Sequence, residues 1–176
     1  IVSKEIYTLR KSLTFDNVSY RYEKLQPFVL SHVNFEIRLG ECVGFIGPTG
    51  SGKSTAIDLL MGLLKPTHGR FLVDGIDVHS SCHPDLLNSW RSAIAHVPQV
   101  IYLTDATITE NIAFGVPKHE IDMERVRRAA SRAQISSFIE ATEFGYEALV
   151  GERGVRLSGG QRQRIGIARA FYKNAK

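Results

Sequence analysis

The chain has 176 residues, 43% of them hydrophobic, with a net charge of +4 and two cysteines. That length supports one globular core, and Cys42 and Cys82 lack paired spacing, which excludes a disulfide framework and suits reduced thiols. No apolar run approaches the roughly 18 residues that cross a bilayer and no secretory signal is visible at the N-terminus, so any transmembrane partner lies outside these residues.

The first dozen residues read as a linker. From Leu13 to about Leu39, alternation at Phe15, Val18 and Tyr20, then at Val33, Phe35 and Ile37, predicts two or three strands of an antiparallel sheet. Cys42-Val43-Gly44-Phe45-Ile46 is a short apolar run of the kind that makes a buried strand, and it leads into Gly47-Pro48-Thr49-Gly50-Ser51-Gly52-Lys53-Ser54. Beyond that loop, Ile57, Leu60, Met61 and Leu64 form a helical stripe that ends before Pro66. A glycine-rich loop between strand and helix is suited to phosphate. Glycines let backbone N–H groups turn inward, Lys53 adds a point charge, the Ser54 hydroxyl can ligate Mg²⁺, and the helix N-terminus favours an anion.

Phe71 to Val78 reads as a hairpin turning at Asp74-Gly75, and Ala93 to Val97 as a further strand followed by Pro98-Gln99. His79, Cys82 and His83, with Asp77 and Asp85 nearby, match no closed zinc spacing and read as exposed loop. About 101–151 is helical, with apolar stripes through Met123, Val126, Ala130 and Ala133 and a weaker one at Phe138 and Ile139. Arg125, Arg127, Arg128 and Arg132 fall opposite the first stripe, as a solvated polar face. No basic stretch interleaved with aromatics occurs, so no nucleic-acid partner is expected.

Leu157-Ser158-Gly159-Gly160-Gln161 opens a last amphipathic helix carrying Ile165, Ala168 and Tyr172. Ser158 and Gln161 have the spacing of a capping box. A cap alone does not call for Gly159 and Gly160, which weaken a helix; they suit close approach by something anionic.

These two motifs, in this order and spacing, resemble the nucleotide-binding domain of ATP-binding cassette (ABC) transporters. Leu157 to Gln161 is similar to that family's signature motif. The resemblance implies an α/β fold: a P-loop NTPase core with an N-terminal antiparallel β subdomain and an inserted helical subdomain at about 101–151. Residues 1–12 would be linker and 13–176 a partial domain. It implies ATP and Mg²⁺ as ligands, with Gly47, Pro48, Thr49, Gly50, Ser51, Gly52, Lys53, Ser54 and Thr55 around the nucleotide. Tyr22 stands where the family stacks an aromatic on adenine, with Tyr20 as competitor. Gln99 resembles the glutamine that touches the metal and the attacking water, so the metal contacts would be Ser54 and Gln99 and the catalytic residues Gln99 and Lys53.

Leu157, Ser158, Gly159, Gly160 and Gln161 would act in trans, on ATP held by a second copy in a head-to-tail dimer. Gly151-Glu152-Arg153-Gly154 and Thr109 to Gly115 resemble segments of exporter-type members, which implies a transmembrane domain as partner and a place on the cytoplasmic face of the cell membrane. The alternatives are a soluble cassette ATPase acting on DNA or ribosomes, and a degenerate cassette that only regulates. The family's Walker B aspartate, catalytic glutamate and switch histidine have no counterpart here. The chain therefore reads as a fragment, expected not to turn over ATP alone.

Overall fold

The computed structural model describes residues 7–151 and 157–175 and contains two compact units, one ending at Ile94 and one spanning 95–175. In the first, β1 (Ser12–Tyr20), β2 (Leu30–Arg38), β3 (His68–Val73) and β4 (Ile76–Asp77) form an antiparallel sheet in the order β2-β1-β3-β4. Alternation dictates the register: Phe15 stands opposite Phe35 on one side and Phe71 on the other, with ring centroids 4.5 and 5.5 Å away. The bulge after Phe15 brings Asn17 into positive φ. A Cβ on Gly69 would lie 2.1 Å from the Asn17 carbonyl oxygen, so only glycine fits where β3 crosses. α1 (Lys53–Leu60) and α2 (Leu86–Ala93) bury Leu59 and Trp90 in the same core, and the Trp90 indole N–H donates to the Leu60 carbonyl at 2.8 Å.

Two strands expected from apolar runs are absent from this sheet. Cys42 to Ile46 and Ala93 to Val97 carry no strand ladder; Ala93 closes α2, while Val43 and Ile46 are 47% and 97% exposed. A strand exists only where a neighbour takes up its N–H and C=O groups, and no described residue pairs with either run. The buried face of α1 also differs from the expected stripe. Thr55, Ala56 and Leu59 are buried, Leu60 and Leu64 pack partly, and Ile57 faces out. Helical spacing marks an apolar stripe without saying which flank meets the sheet.

Asp74, at the β3–β4 turn, anchors the segment that leads into β1. Its carboxylate accepts from the Tyr7 hydroxyl at 2.8 Å and from the N–H groups of Arg10, Lys11 and Ser12 at 2.9, 2.6 and 3.1 Å. Burial alone would raise the Asp74 pKa, but these donors together hold it below the usual carboxylate range. Burial and the Asp74 carboxylate push the Tyr7 phenol up to about 12. A depressed carboxylate contributes stability above its unfolded pKa of about 3.9 and loses it as pH falls through the folded value. Asp74→Asn is therefore expected to cost about 1 to 2 kcal/mol in chemical denaturation at pH 7. The gap to the parent should narrow in acid below about pH 4. A gap that stays constant from pH 7 to pH 3 contradicts this role.

The second unit, 95–175, contains the helices α3 (Ile108–Ile112), α4 (Met123–Arg132), α5 (Ser136–Glu140) and α6 (Gly159–Lys173). Ile108, Ile112, Val126, Ala130, Ile139, Ile165 and Ala168 form its core. The Thr109 to Gly115 segment is built inward at its start. Asn111 is fully buried, its amide donates to the Thr104 and Thr107 carbonyls and accepts from the Thr104 N–H, each at 3.0 Å. Glu152, Arg153 and Gly154, three of the four residues of the other exporter-like segment, lie outside the described residues.

Candidate functional site

The loop from Gly47 to Gly52 holds a cation and then opens a helix without covering its end. Lys53 Nζ donates to the carbonyls of Gly47 and Pro48 at 2.9 and 2.7 Å and reaches Ser51 Oγ at 3.4 Å. Among the described residues no carboxylate pairs with it. The ammonium is thus fixed by its own loop while its charge stays uncompensated.

α1 begins after Gly52 with no side-chain cap and no acidic residue in its first turn, and its first helical bond runs from the Ala56 N–H to the Gly52 carbonyl. The N–H groups of Lys53, Ser54 and Thr55 therefore have no intrahelical acceptor. Glycine is required at Gly52: φ is +85°, and a Cβ there would press on Leu30 Cδ2 at 2.8 Å and the Val29 carbonyl oxygen at 3.1 Å. A lone ammonium, orphan N–H groups and the positive end of a helix together make a cradle for a polyanion such as a phosphate chain. Pro48, Thr49, Gly50, Ser51 and Ser54 are exposed around it, and Thr55 is buried.

Tyr22 stands beside this loop, a relation that spacing does not reveal. Its hydroxyl lies 3.0 Å from Thr55 Oγ1, and its ring meets Tyr20 edge-on at 5.1 Å. Tyr20 is only 8% exposed and belongs to the core, whereas Tyr22 is 57% exposed. Of the two rings, Tyr22 is the one exposed to a planar ligand.

The other motif residues belong to the second unit. Ser158 caps α6: its Oγ accepts from the Gln161 N–H at 3.2 Å, and the Gln161 side chain accepts from the Ser158 N–H at 2.8 Å, the capping box the sequence predicts. Leu157 is buried, while Ser158, Gly159 and Gly160 are exposed. A Cβ on either glycine would meet nothing within 4 Å, so no described part of this chain demands glycine there. Gln99 is exposed and lines, with Gly159 and Arg162, a cleft of about 370 Å³. The polar face of α4 is less simple than its spacing suggests. Arg125 lies over the Tyr172 ring at 4.7 Å and Arg132 over the Phe171 ring at 4.0 Å, contacts that the sequence of α4 alone could not signal because the rings come from α6.

The model of the ABC transporter family matches residues 30–176. The chain is 41% identical over 167 residues to an ATP-dependent lipid A-core flippase of Cupriavidus metallidurans, covering 94% of this chain and 27% of that protein. It is 43% identical over 168 residues to the leukotoxin translocation ATP-binding protein LktB of Mannheimia haemolytica, covering 96% and 23%. Among solved structures, a bacterial Atm1-family ABC exporter with ATP bound matches with a TM-score of 0.84 at 39% identity, over 99% of this chain and 29% of that one. The chain thus spans about a quarter of the length of the relatives it matches. The P-loop NTPase fold with an antiparallel sheet and a helical part, expected from the sequence, is the fold of that structure.

Proposed function

The chain belongs to the ABC transporter family, and on that premise we propose that it is the ATP-binding part of an exporter, in which ATP binding and hydrolysis drive movement of a substrate across the membrane. The observation that supports this best is the uncompensated Lys53 ammonium inside a loop that leaves the first turn of α1 uncapped. In this reading the N–H groups around Gly47 to Thr55 and the Lys53 ammonium bind the phosphates, and the exposed Tyr22 ring holds the adenine. Ser54 and Gln99 are the proposed holders of Mg²⁺, which when bound neutralises charge on the β- and γ-phosphates. Gln99 would orient the water.

Leu157 to Gln161 are proposed to act on ATP held by a second copy of the domain, with Ser158 and the N–H groups of Gly159 and Gly160 facing its γ-phosphate. The open space over both glycines supports this, because it leaves room for a ligand from outside the chain. A transmembrane domain is the second partner, and the domain would lie on the cytoplasmic side of the membrane. Among the described residues no helix is long and apolar enough to cross a membrane. The soluble DNA- or ribosome-directed reading is not favoured, since relatives with 41 to 43% identity are named as a flippase and a translocation protein.

A titration of the chain with fluorescent ATP tests the reading, with saturable binding displaced by unlabelled ATP expected and none contradicting it. Tyr22→Ala should weaken that binding by about 1 to 3 kcal/mol, while Tyr22→Trp retains it. If Tyr22→Ala binds like the parent, the adenine does not rest on this ring.

A further inference from the structure

Between α4 and the end of α6 runs a groove of about 360 Å³ lined by Arg125, Arg128, Ala129, Arg132, Phe171 and Asn174. Arg125, Arg128 and Arg132 fall three and four residues apart and so share one face of α4. Among the described residues no carboxylate lines the groove. Arg128 donates to Glu124 at 3.2 Å, but both side chains are largely exposed, 63% and 82%, and such a pair is weak. Among the described residues neither Arg125 nor Arg132 has an ion-pair partner.

Their guanidinium groups are nevertheless not free to wander. Each lies over an aromatic ring of α6, Tyr172 for Arg125 and Phe171 for Arg132. A ring offers a guanidinium its π-face and no hydrogen-bond acceptor for its five N–H donors, so those donors remain available to a ligand. Two guanidinium groups held over rings and a third cation around one cleft offer the charge and the N–H donors that phosphate oxygens accept. We propose that this groove is a binding site for a phosphate-bearing ligand, separate from the phosphate loop.

The probes are inorganic pyrophosphate for a soluble source and dihexanoyl phosphatidic acid, with dihexanoyl phosphatidylcholine as its control, for a lipid headgroup. Both are applied to the detergent-solubilised full-length protein carrying Lys53→Ala, which weakens the competing phosphate loop. Saturable binding of pyrophosphate, or of the phosphatidic acid but not the phosphatidylcholine, is expected, and which of the two occurs identifies the source. Arg125→Lys with Arg132→Lys conserves the charge but removes the guanidinium groups, and is expected to weaken binding about tenfold, the size of a lost charge-assisted contact. Arg128→Gln touches no ring, leaves the packing of α4 on α6 intact, and should weaken it about threefold. Binding to neither probe overturns the proposal. So does binding that both sets of variants leave unchanged, since it would reflect charge spread over the surface.

Discussion

Lys53→Ala is expected to lower ATP affinity at least about tenfold in an equilibrium titration, and to abolish any hydrolysis the full-length protein performs. The ammonium already sits in the mouth of the loop, 2.9 and 2.7 Å from two carbonyl oxygens. A phosphate chain would replace those neutral acceptors by charged ones, and a charge-assisted contact is worth about 1.5 to 3 kcal/mol. Neither Gly47 nor Pro48 is buried, so water takes over their carbonyls in the variant and folding stability should change by less than about 0.5 kcal/mol. Affinity and stability therefore separate. Unchanged affinity, with the fold intact by circular dichroism, would remove the loop from the binding site.

Ser158→Asp is expected to leave the fold and ATP binding to its own phosphate loop intact while hydrolysis collapses. Ser158 is exposed and its structural work is to accept the Gln161 N–H, which an aspartate does equally well at a helix start. Facing a γ-phosphate held by a second copy, the same carboxylate meets like charge. At about 4 Å and an effective dielectric of about 20 the repulsion is about 4 kcal/mol, which corresponds to about a thousandfold. A mere cap would tolerate the change, so hydrolysis at the parent rate would reduce Leu157 to Gln161 to a helix start.

Much of this was legible because motif residues carry their own geometry. The capping box at Ser158 and Gln161, the turn at Asp74-Gly75 and the alternation through Phe15 and Phe35 each depend on neighbours a few residues away or on a strict period of two. What escaped depends on partners elsewhere. Cys42 to Ile46 is apolar enough for a buried strand, yet no described residue offers it a ladder. Ile57 obeys the helical spacing of α1, but Leu59 on the adjacent flank reaches the sheet. Tyr22 and Tyr20 are alike in sequence and are separated only by burial, and the arginines of α4 gain their rings from α6.

The proposal that ATP is shared between two copies is tested most directly in a heterodimer of full-length chains, one carrying Lys53→Ala and the other Ser158→Asp, isolated through two different affinity tags. Such a pair keeps one intact composite site, formed by the phosphate loop of the Ser158→Asp copy and the signature of the Lys53→Ala copy. Phosphate release clearly above that of either variant homodimer is predicted. A heterodimer as inactive as both homodimers would contradict the account.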